Sequence, residues 1–223
     1  MTYHSESIRL LRALEQELPN LVGGTLFRIG DVQIAVEGKD GLGGLIEEWL
    51  GVWARQNSFL INSANSQGQS QEFPDYYIGT DNKLLEIKCF DASASANFDI
   101  ANFDAYCKSL AFNPQRLFAD YIIFSYTLNE SQLSITNVWL KKIWEITCPS
   151  ARYSLKTQNK KGIIYNIRPA TFYSKRCRFD TFSNWKAFAE ALYDTEKEYH
   201  SLSSSNNELI FSKNLFSTYG LKY

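Results

Sequence analysis

Two acidic residues and one lysine stand at a spacing that two adjacent strands would bring together. Ten residues separate Pro74-Asp75 from Glu86-x-Lys88. A four-residue turn at 79–82 sets a register in which Asp75 lies opposite Glu86, with Cβ atoms roughly 5 Å apart. Because side chains alternate along a strand, Lys88 shares the face of Glu86. The spacing therefore predicts a hairpin that carries two carboxylates and one ammonium group on a single face.

Such a cluster predicts a divalent cation site with hydrolytic chemistry. Two close carboxylates repel each other unless a cation lies between them. Mg²⁺ prefers hard oxygen ligands, and we expect Asp75, Glu86 and the backbone carbonyl of Ile87 to supply them. Lys88 would then orient an attacking water and stabilise charge on phosphoryl oxygens. The alternative is an ordinary amphipathic hairpin on which Lys88 makes a surface salt bridge with its neighbouring acids.

The remaining reactive side chains exclude several other chemistries. The two histidines, His4 and His200, lie near the ends of the chain, so a histidine-based triad is not expected. A structural zinc site needs clustered Cys and His ligands, and the four cysteines are scattered. We expect them to be reduced thiols, at Cys89, Cys107, Cys148 and Cys177.

The distribution of charge predicts a polyanion-binding surface. Residues 141–178 hold ten Lys and Arg against one acid, or +9, so the other 185 residues carry −10 to give the net charge of −1. Aromatic residues interleave with these bases, as suits contacts with phosphates and bases of nucleic acid. The alternative is a solvated surface whose bases pair with acids elsewhere. The residues predicted to contact DNA are Lys156, Gln158, Asn159, Lys160, Lys161 and Arg168, with Lys175, Arg176 and Arg178 positioning phosphates.

The periodicity along the chain predicts the elements that must hold these groups. The predicted helices span 5–18, 42–56, 99–118 (interrupted at Asn113-Pro114) and 185–199. The predicted strands span 119–126, 133–140 and 162–168, with one or two short strands within 23–41. A polar stretch over 62–71 predicts a loop that borders the scissile phosphate. Helices alternate with strands, so we expect an α/β fold with a mixed β-sheet flanked by helices.

Length and composition bound the organisation of the chain. At 223 residues we expect a single domain over 1–223, with a hydrolytic core at about 42–126 and a basic nucleic-acid-recognition region at about 141–180. No apolar run approaches the roughly 18–20 residues of a membrane span, and the N-terminus lacks the pattern of a signal peptide. These features predict a cytoplasmic protein without a membrane partner.

The hairpin motif resembles a known nuclease signature. Pro74-Asp75 with Glu86-x-Lys88 is similar to the PD-(D/E)xK motif of type II restriction endonucleases, Holliday-junction resolvases and repair nucleases. The resemblance implies a mixed sheet flanked by helices and Mg²⁺-dependent hydrolysis of phosphodiester bonds. In that superfamily the first core helix often brings a further acid to the metal centre. Glu47 matches that position best, and Glu48 is the rival.

A narrower resemblance extends along the chain to the NgoBV group of type II restriction endonucleases. The segments that carry it are 86–90, 98–103, 120–124, 139–146 and 161–169. This resemblance implies a site-specific deoxyribonuclease that cuts double-stranded DNA at a short palindrome of the GGNNCC type. A double-strand cut at a palindrome needs two active sites, so a homodimer is expected, with a companion DNA methyltransferase in the same restriction-modification system. Two alternatives stay open: a structure-specific or repair nuclease with the same metal centre, and a non-catalytic nucleic-acid-binding module.

Overall fold

The chain folds into two compact units. The computed structural model describes residues 2–36, 38–64 and 73–202, except for the side chain of residue 202. The first unit consists of Met1–Ala96 and Asp120–Lys141, and the second of Asn97–Ala119 and Lys142–Tyr223. Compact units of this kind occur within single domains as well as between domains. The single endonuclease domain over 1–223 therefore stays a prediction.

The described residues form four α-helices and eleven β-strands. The helices are α1 (Ser5–Glu17), α2 (Leu42–Gln56), α3 (Phe103–Phe112) and α4 (Trp185–Leu202). The first strands are β1 (Val22–Gly24), β2 (Leu26–Ile29), β3 (Val32–Ala35), β4 (Ile61–Ser63), β5 (Tyr76–Ile78) and β6 (Lys83–Asp91). The later strands are β7 (Ala101–Asn102), β8 (Asp120–Asn129), β9 (Gln132–Lys141), β10 (Thr157–Lys160) and β11 (Ile163–Ile167).

A six-stranded mixed sheet forms the first unit, in the order β1-β9-β8-β6-β5-β4. Strands β6 and β8 are parallel, and every other neighbouring pair is antiparallel. The run Tyr121–Phe124 in β8 is almost fully buried, as its continuous apolar sequence predicts for a central strand. The prediction of an α/β fold with a mixed sheet is confirmed.

Two helices of the first unit pack on this sheet. In α1, Leu10 and Leu14 are fully buried, and the helix begins where the side chain of His4 accepts a hydrogen bond from the backbone N–H of Glu6. In α2, Ile46 and Leu50 recur at helical spacing and join the same core as the inner face of β5 and β6. The helix predicted over 42–56 has those bounds, so α2 fixes the backbone beside the predicted site.

The second unit holds a three-stranded sheet, β10-β11-β7, together with α3 and α4. The helix predicted to begin at 99 begins instead at Phe103, because Asn102 caps it by accepting a hydrogen bond from the backbone N–H of Ala105. Residues 101–102 pair with β11 instead. The helix stops at Phe112, and Pro114 starts a short 3-10 helix, as the predicted interruption requires.

The loop predicted over 62–71 is partly wrong. Asn62 and Ser63 belong to β4, where they pair with Tyr77 and Tyr76 of β5. Residues 65–71 of that prediction lie outside the described residues. All four cysteines are free thiols. Over the described ranges, the chain has no helix with the length and apolarity that a membrane crossing requires.

Candidate active site

The catalytic hairpin, formed by β5, β6 and the turn between them, has the predicted register. The paired residues are Ile78 with Lys83, Tyr77 with Leu84, and Tyr76 with Leu85. Asp75 stands immediately before β5, and its Oδ2 accepts a hydrogen bond of 2.7 Å from the backbone N–H of Ile87. This bond holds the carboxylate against the segment of β6 that carries Glu86 and Lys88.

Glu86 and Lys88 form a close pair on β6. The Nζ of Lys88 donates to Oε1 of Glu86 at 2.7 Å. Glu86 is only 5% exposed, and within the described chain its other oxygen, Oε2, is buried without a hydrogen-bond partner. A buried carboxylate oxygen without a donor is costly, so this atom is a vacant acceptor that a cation would satisfy.

The electrostatics around Asp75 fit the same conclusion. Burial, followed by the neighbouring charge of Glu86, raises the pKa of Asp75 to about 7. Burial pushes the pKa of Lys88 down, but the carboxylates of Glu86 and Asp75 more than offset this effect, so the pKa is raised. Lys88 is therefore a firmly protonated cation beside two carboxylates, and its chemistry is to orient and to stabilise negative charge.

Glu47 and Glu48, the two candidate acids on α2, differ in burial. Glu47 is half-buried, and burial together with the charge of Glu86 raises its pKa, so its carboxylate belongs to the same electrostatic cluster. Glu48 is exposed. The helix is tied to the hairpin at this point, because the hydroxyl of Tyr76 donates to the backbone carbonyl of Glu47 at 2.9 Å. The tyrosine passes Gly51, where a Cβ would lie 2.4 Å from the Tyr76 oxygen.

These side chains fit a hard divalent cation with few protein ligands. Within the described ranges, no group of three or more His, Cys, Asp and Glu side chains has the arrangement of a metal cage. Mg²⁺ is typically held by only one or two carboxylates, with water and substrate phosphates completing its shell. Asp75 and Glu86 meet that requirement, and the backbone carbonyl of Ile87 stays the predicted third ligand.

The predicted DNA-contacting residues lie around the basic hairpin, formed by β10 and β11. Several of their side chains already make hydrogen bonds within the hairpin or beside it. Gln158 accepts from the amide of Asn166 at 3.0 Å, and the amide oxygen of Asn159 accepts from the backbone N–H of Gly162 at 3.1 Å. Lys156 donates to the carbonyl of Pro169 at 2.7 Å.

The two lysines at the turn of the basic hairpin differ from these residues. Lys160 and Lys161 are exposed, whereas Arg168 is ion-paired with Asp99. Lys142, within the basic stretch, is buried and donates to the carbonyl of Phe118. Among the six, Lys160 and Lys161 thus present their charges most openly. Lys175, Arg176 and Arg178 are exposed as well, and DNA contact by any of these residues stays a prediction.

Strand β10 has no apolar alternation, so the sequence did not predict it. Its sequence is Thr157-Gln-Asn-Lys160, and its formation depends on pairing with β11 across the two-residue turn Lys161-Gly162. Both turn residues have positive φ, 54° and 84°, as a type I′ hairpin turn requires. The signal that was available is the glycine directly before the apolar strand β11.

A mixed sheet whose hairpin gathers an aspartate, a glutamate and a lysine defines a nuclease of the PD-(D/E)xK class. A family model described as NgoBV restriction endonuclease matches residues 4–223. The chain belongs to this family of type II restriction endonucleases, whose members generally use a divalent metal ion.

Individual relatives agree with the family match. The chain is 33% identical to the type II restriction enzyme NlaIV of Neisseria lactamica over 186 residues, which cover 81% of this chain and 75% of that enzyme. It is 31% identical to the type II restriction enzyme NgoBV of Neisseria gonorrhoeae over 155 residues, covering 66% of this chain and 85% of that enzyme. A solved structure of NlaIV restriction endonuclease is similar with a TM-score of 0.81 at 29% identity, covering 99% of this chain and 91% of that one.

Proposed function

We propose that this enzyme performs Mg²⁺-dependent hydrolysis of both strands of DNA at a short palindrome of the GGNNCC type. The observation that carries the proposal is the buried cluster of Asp75, Glu86 and Lys88, in which one oxygen of Glu86 has no partner among the described residues. The sequence specificity rests on the membership of the NgoBV family and on the relatives above.

Each residue of the cluster has a role in this reaction. Asp75 and Glu86 would hold Mg²⁺, and the bound ion would supply polarisation of the scissile phosphate and a lower pKa for water. Glu47 would complete the acidic side of the centre from α2. Lys88, held by Glu86 at 2.7 Å, would orient the attacking water and stabilise the negative charge that develops on the phosphoryl oxygens.

The proposal includes partners that this chemistry needs. Double-stranded DNA is the substrate, and a homodimer would bring one active site to each strand of the palindrome. Lys160 and Lys161 would bind phosphates from the turn of the basic hairpin. A companion methyltransferase would protect the host genome in the cytoplasm, a reducing compartment that suits four free thiols.

The experiment is a digest of two 40-bp duplexes, one with a single GGNNCC site and one with a changed outer base pair. Wild-type protein and Asp75→Ala are compared with Mg²⁺ and with EDTA. We expect cleavage only of the first duplex, only with Mg²⁺ and only by the wild type. A supercoiled plasmid that contains the site should be converted to linear DNA.

Other outcomes would overturn specific parts of the proposal. Equal cleavage of both duplexes would indicate a non-specific nuclease instead of a restriction endonuclease. Cleavage confined to branched or mismatched substrates would indicate a repair nuclease. Tight binding without cleavage under all conditions, unchanged by Asp75→Ala, would indicate a non-catalytic binding module.

A further inference from the structure

Strand β11 of the basic hairpin carries one extra residue, which changes the side chains that share a face. Gln158 pairs with Asn166 and Asn159 pairs with Ile164, so the register shifts at Tyr165. In a regular strand, residues two apart lie on the same face. The bulge breaks this alternation, since Ile164 is 3% exposed, Tyr165 is 42% exposed and Asn166 is half-buried. Asn166 therefore leaves the buried side of β11.

Five side chains form the outer face of the basic hairpin. Because side chains alternate along β10, Gln158 and Lys160 lie on one side of that strand. Gln158 lies opposite Asn166 and Lys160 lies opposite Ile163, and directly opposed residues share a face. The bulge adds Tyr165 to this side. The other two isoleucines of β11 are buried, so the hairpin turns its outer face to solvent.

Several contacts hold the base of the hairpin in place. Strand β7 pairs with β11 at Asn166 and Ile167. The backbone N–H of Arg168 donates to the carbonyl of Lys156 at 3.0 Å, and the side chain of Arg168 is ion-paired with Asp99. A hairpin fixed at its base presents its outer face in one orientation, as precise recognition requires.

Two amides on the outer face are joined by one hydrogen bond and have further bonding capacity. The Nδ2 of Asn166 donates to Oε1 of Gln158 at 3.0 Å. Among the described residues, this bond leaves the amide nitrogen of Gln158 and the amide oxygen of Asn166 without a partner. The bonded pair therefore presents a donor and an acceptor side by side, each held by the other amide.

A donor beside an acceptor is complementary to the major-groove edge of a G·C base pair. Guanine presents acceptors at O6 and N7, and cytosine presents the donor N4. Phosphates present only acceptors, so they would leave the amide oxygen of Asn166 unmatched. The major groove, about 12 Å wide, admits a two-stranded β-ribbon. The amide pair suits base readout, whereas the exposed Lys160 and Lys161 suit phosphates.

We propose that Gln158 and Asn166 act as one unit that reads the major-groove edge of a G·C pair in the recognition site. The inference rests on the proposed function, because a GGNNCC site is fixed only at its G·C pairs. It assigns a specificity-determining role to Asn166, which the charge pattern does not single out because the residue is neutral and lies in an apolar strand.

Binding in Ca²⁺ measures readout separately from cleavage. Fluorescence anisotropy gives the dissociation constants for a 40-bp duplex with one GGNNCC site and for the same duplex with every fixed G·C pair changed to A·T. Gln158→Ala with Asn166→Ala should weaken binding to the first duplex about 10- to 100-fold, because a specific base contact is lost. Binding to the second duplex should change less than twofold.

Two control variants define the meaning of this result. Lys160→Ala with Lys161→Ala should weaken binding to both duplexes equally, since phosphate contacts carry no sequence information. Gln115→Ala removes an exposed amide of the second unit outside the hairpin and should change neither constant. Equal weakening of both duplexes by the Gln158→Ala, Asn166→Ala variant would overturn the readout.

A second measurement uses the wild-type protein and modified DNA. N4-methylcytosine in the fixed pairs replaces the major-groove N–H of cytosine by a methyl group, whereas inosine in place of guanine removes only the minor-groove amino group. We expect N4-methylcytosine to weaken binding at least tenfold and inosine to weaken it less than twofold. The N4-methylcytosine effect should largely disappear in Asn166→Ala. The reverse ranking, or an undiminished effect in this variant, would overturn the assignment.

The outcomes separate this inference from the proposed function. Cleavage at the site by the wild type, with full site preference retained in the Gln158→Ala, Asn166→Ala variant, would overturn the readout and leave the proposed function intact. Site-preferring binding that depends on the two amides, in a protein that never cleaves, would refute the proposed hydrolysis and leave the readout intact. Equal binding of both duplexes by the wild type would overturn the readout.

Discussion

The catalytic hairpin and the basic hairpin use charge in opposite ways. In the catalytic hairpin, Glu86 is 5% exposed and its charge is coupled to those of Asp75 and Lys88. In the basic hairpin, Lys160 and Lys161 are exposed at a turn. Charges in a buried cluster depend on one another, because removal of one charge leaves its partner buried without compensation. Exposed charges act nearly independently and are screened by salt. The first arrangement suits chemistry, and the second suits adjustable binding.

The largest effect expected from this difference is the loss of cleavage on removal of Lys88. Lys88→Ala should lower kcat at least 10³-fold, because it removes the cation that we propose stabilises the reacting phosphoryl group. Binding of a duplex in Ca²⁺ should persist within a few-fold. Single-turnover cleavage and a gel-shift titration measure the two quantities.

The matched control for this prediction is Lys83→Ala, an exposed lysine on the same strand. It should retain near wild-type kcat. Normal turnover by Lys88→Ala would remove this residue from the mechanism, and equal losses in both variants would indicate that the strand had merely been perturbed.

Adjacent acids on α2 offer a sharper comparison. Glu47→Gln should reduce kcat about 10- to 100-fold and raise the Mg²⁺ concentration required for half-maximal activity, because the carboxylate of Glu47 is half-buried and interacts electrostatically with Glu86. Glu48→Gln, at an exposed position, should change neither quantity. A Mg²⁺ titration of cleavage measures both, and the reverse ranking would assign the helical acid to Glu48.

Substitutions in the basic hairpin should change binding and leave chemistry intact. Lys160→Ala with Lys161→Ala should weaken DNA binding about tenfold and reduce the slope of log K against log salt by about two, since two phosphate contacts are lost. Fluorescence anisotropy over a salt series measures the slope. Lys186→Ala with Lys197→Ala removes two exposed lysines of α4 as a control. A slope that falls only in the control would place the DNA-binding surface elsewhere.

The smallest effect concerns stability without metal. The pKa of Asp75 is raised to about 7, so its ionised form is disfavoured in the folded state, and stability falls as pH rises from about 4 to about 7. At pH 8 in EDTA, Asp75→Asn should therefore stabilise the protein by up to about 4 kcal/mol, with little gain at pH 4. Thermal melts with and without Mg²⁺ test this, because Mg²⁺ should stabilise only the wild type.

An exposed aspartate provides the comparison for these melts. Asp40→Asn should leave the melting temperature unchanged at both pH values. If Asp75→Asn destabilised the metal-free protein at pH 8, the ionised carboxylate of Asp75 would stabilise the fold, and burial and the charge of Glu86 would not disfavour its ionisation.

The sequence could predict the catalytic hairpin because local patterns determine it. The turn at 79–82 and the alternation of Tyr76, Ile78, Leu85 and Ile87 specify a single register that buries one face. The helix α2 was predicted with its full bounds for a similar reason, since its apolar residues recur at helical spacing. The candidate carboxylates then follow from the register.

The basic hairpin shows what local patterns cannot predict. Strand β10 is polar, so only its pairing with β11 reveals it. Arg168 pairs with Asp99, 69 positions away in the sequence, and the buried Lys142 bonds to a carbonyl 24 positions away. In the sequence both residues count as available positive charge. In the folded chain Arg168 is ion-paired and Lys142 is buried.

The close approach of Tyr76 to Gly51 has a consequence for protein engineering. Three glycines interrupt α2, and each costs up to about 1 kcal/mol of helix propensity relative to alanine. A Cβ at Gly43 or Gly44 would meet nothing within 4 Å, whereas one at Gly51 would displace the tyrosine that fixes the backbone of Glu47. The first two positions are therefore open to thermostabilising alanines, whereas an alanine at Gly51 would strengthen the helix but disturb the position of Glu47, the proposed acid of the metal centre.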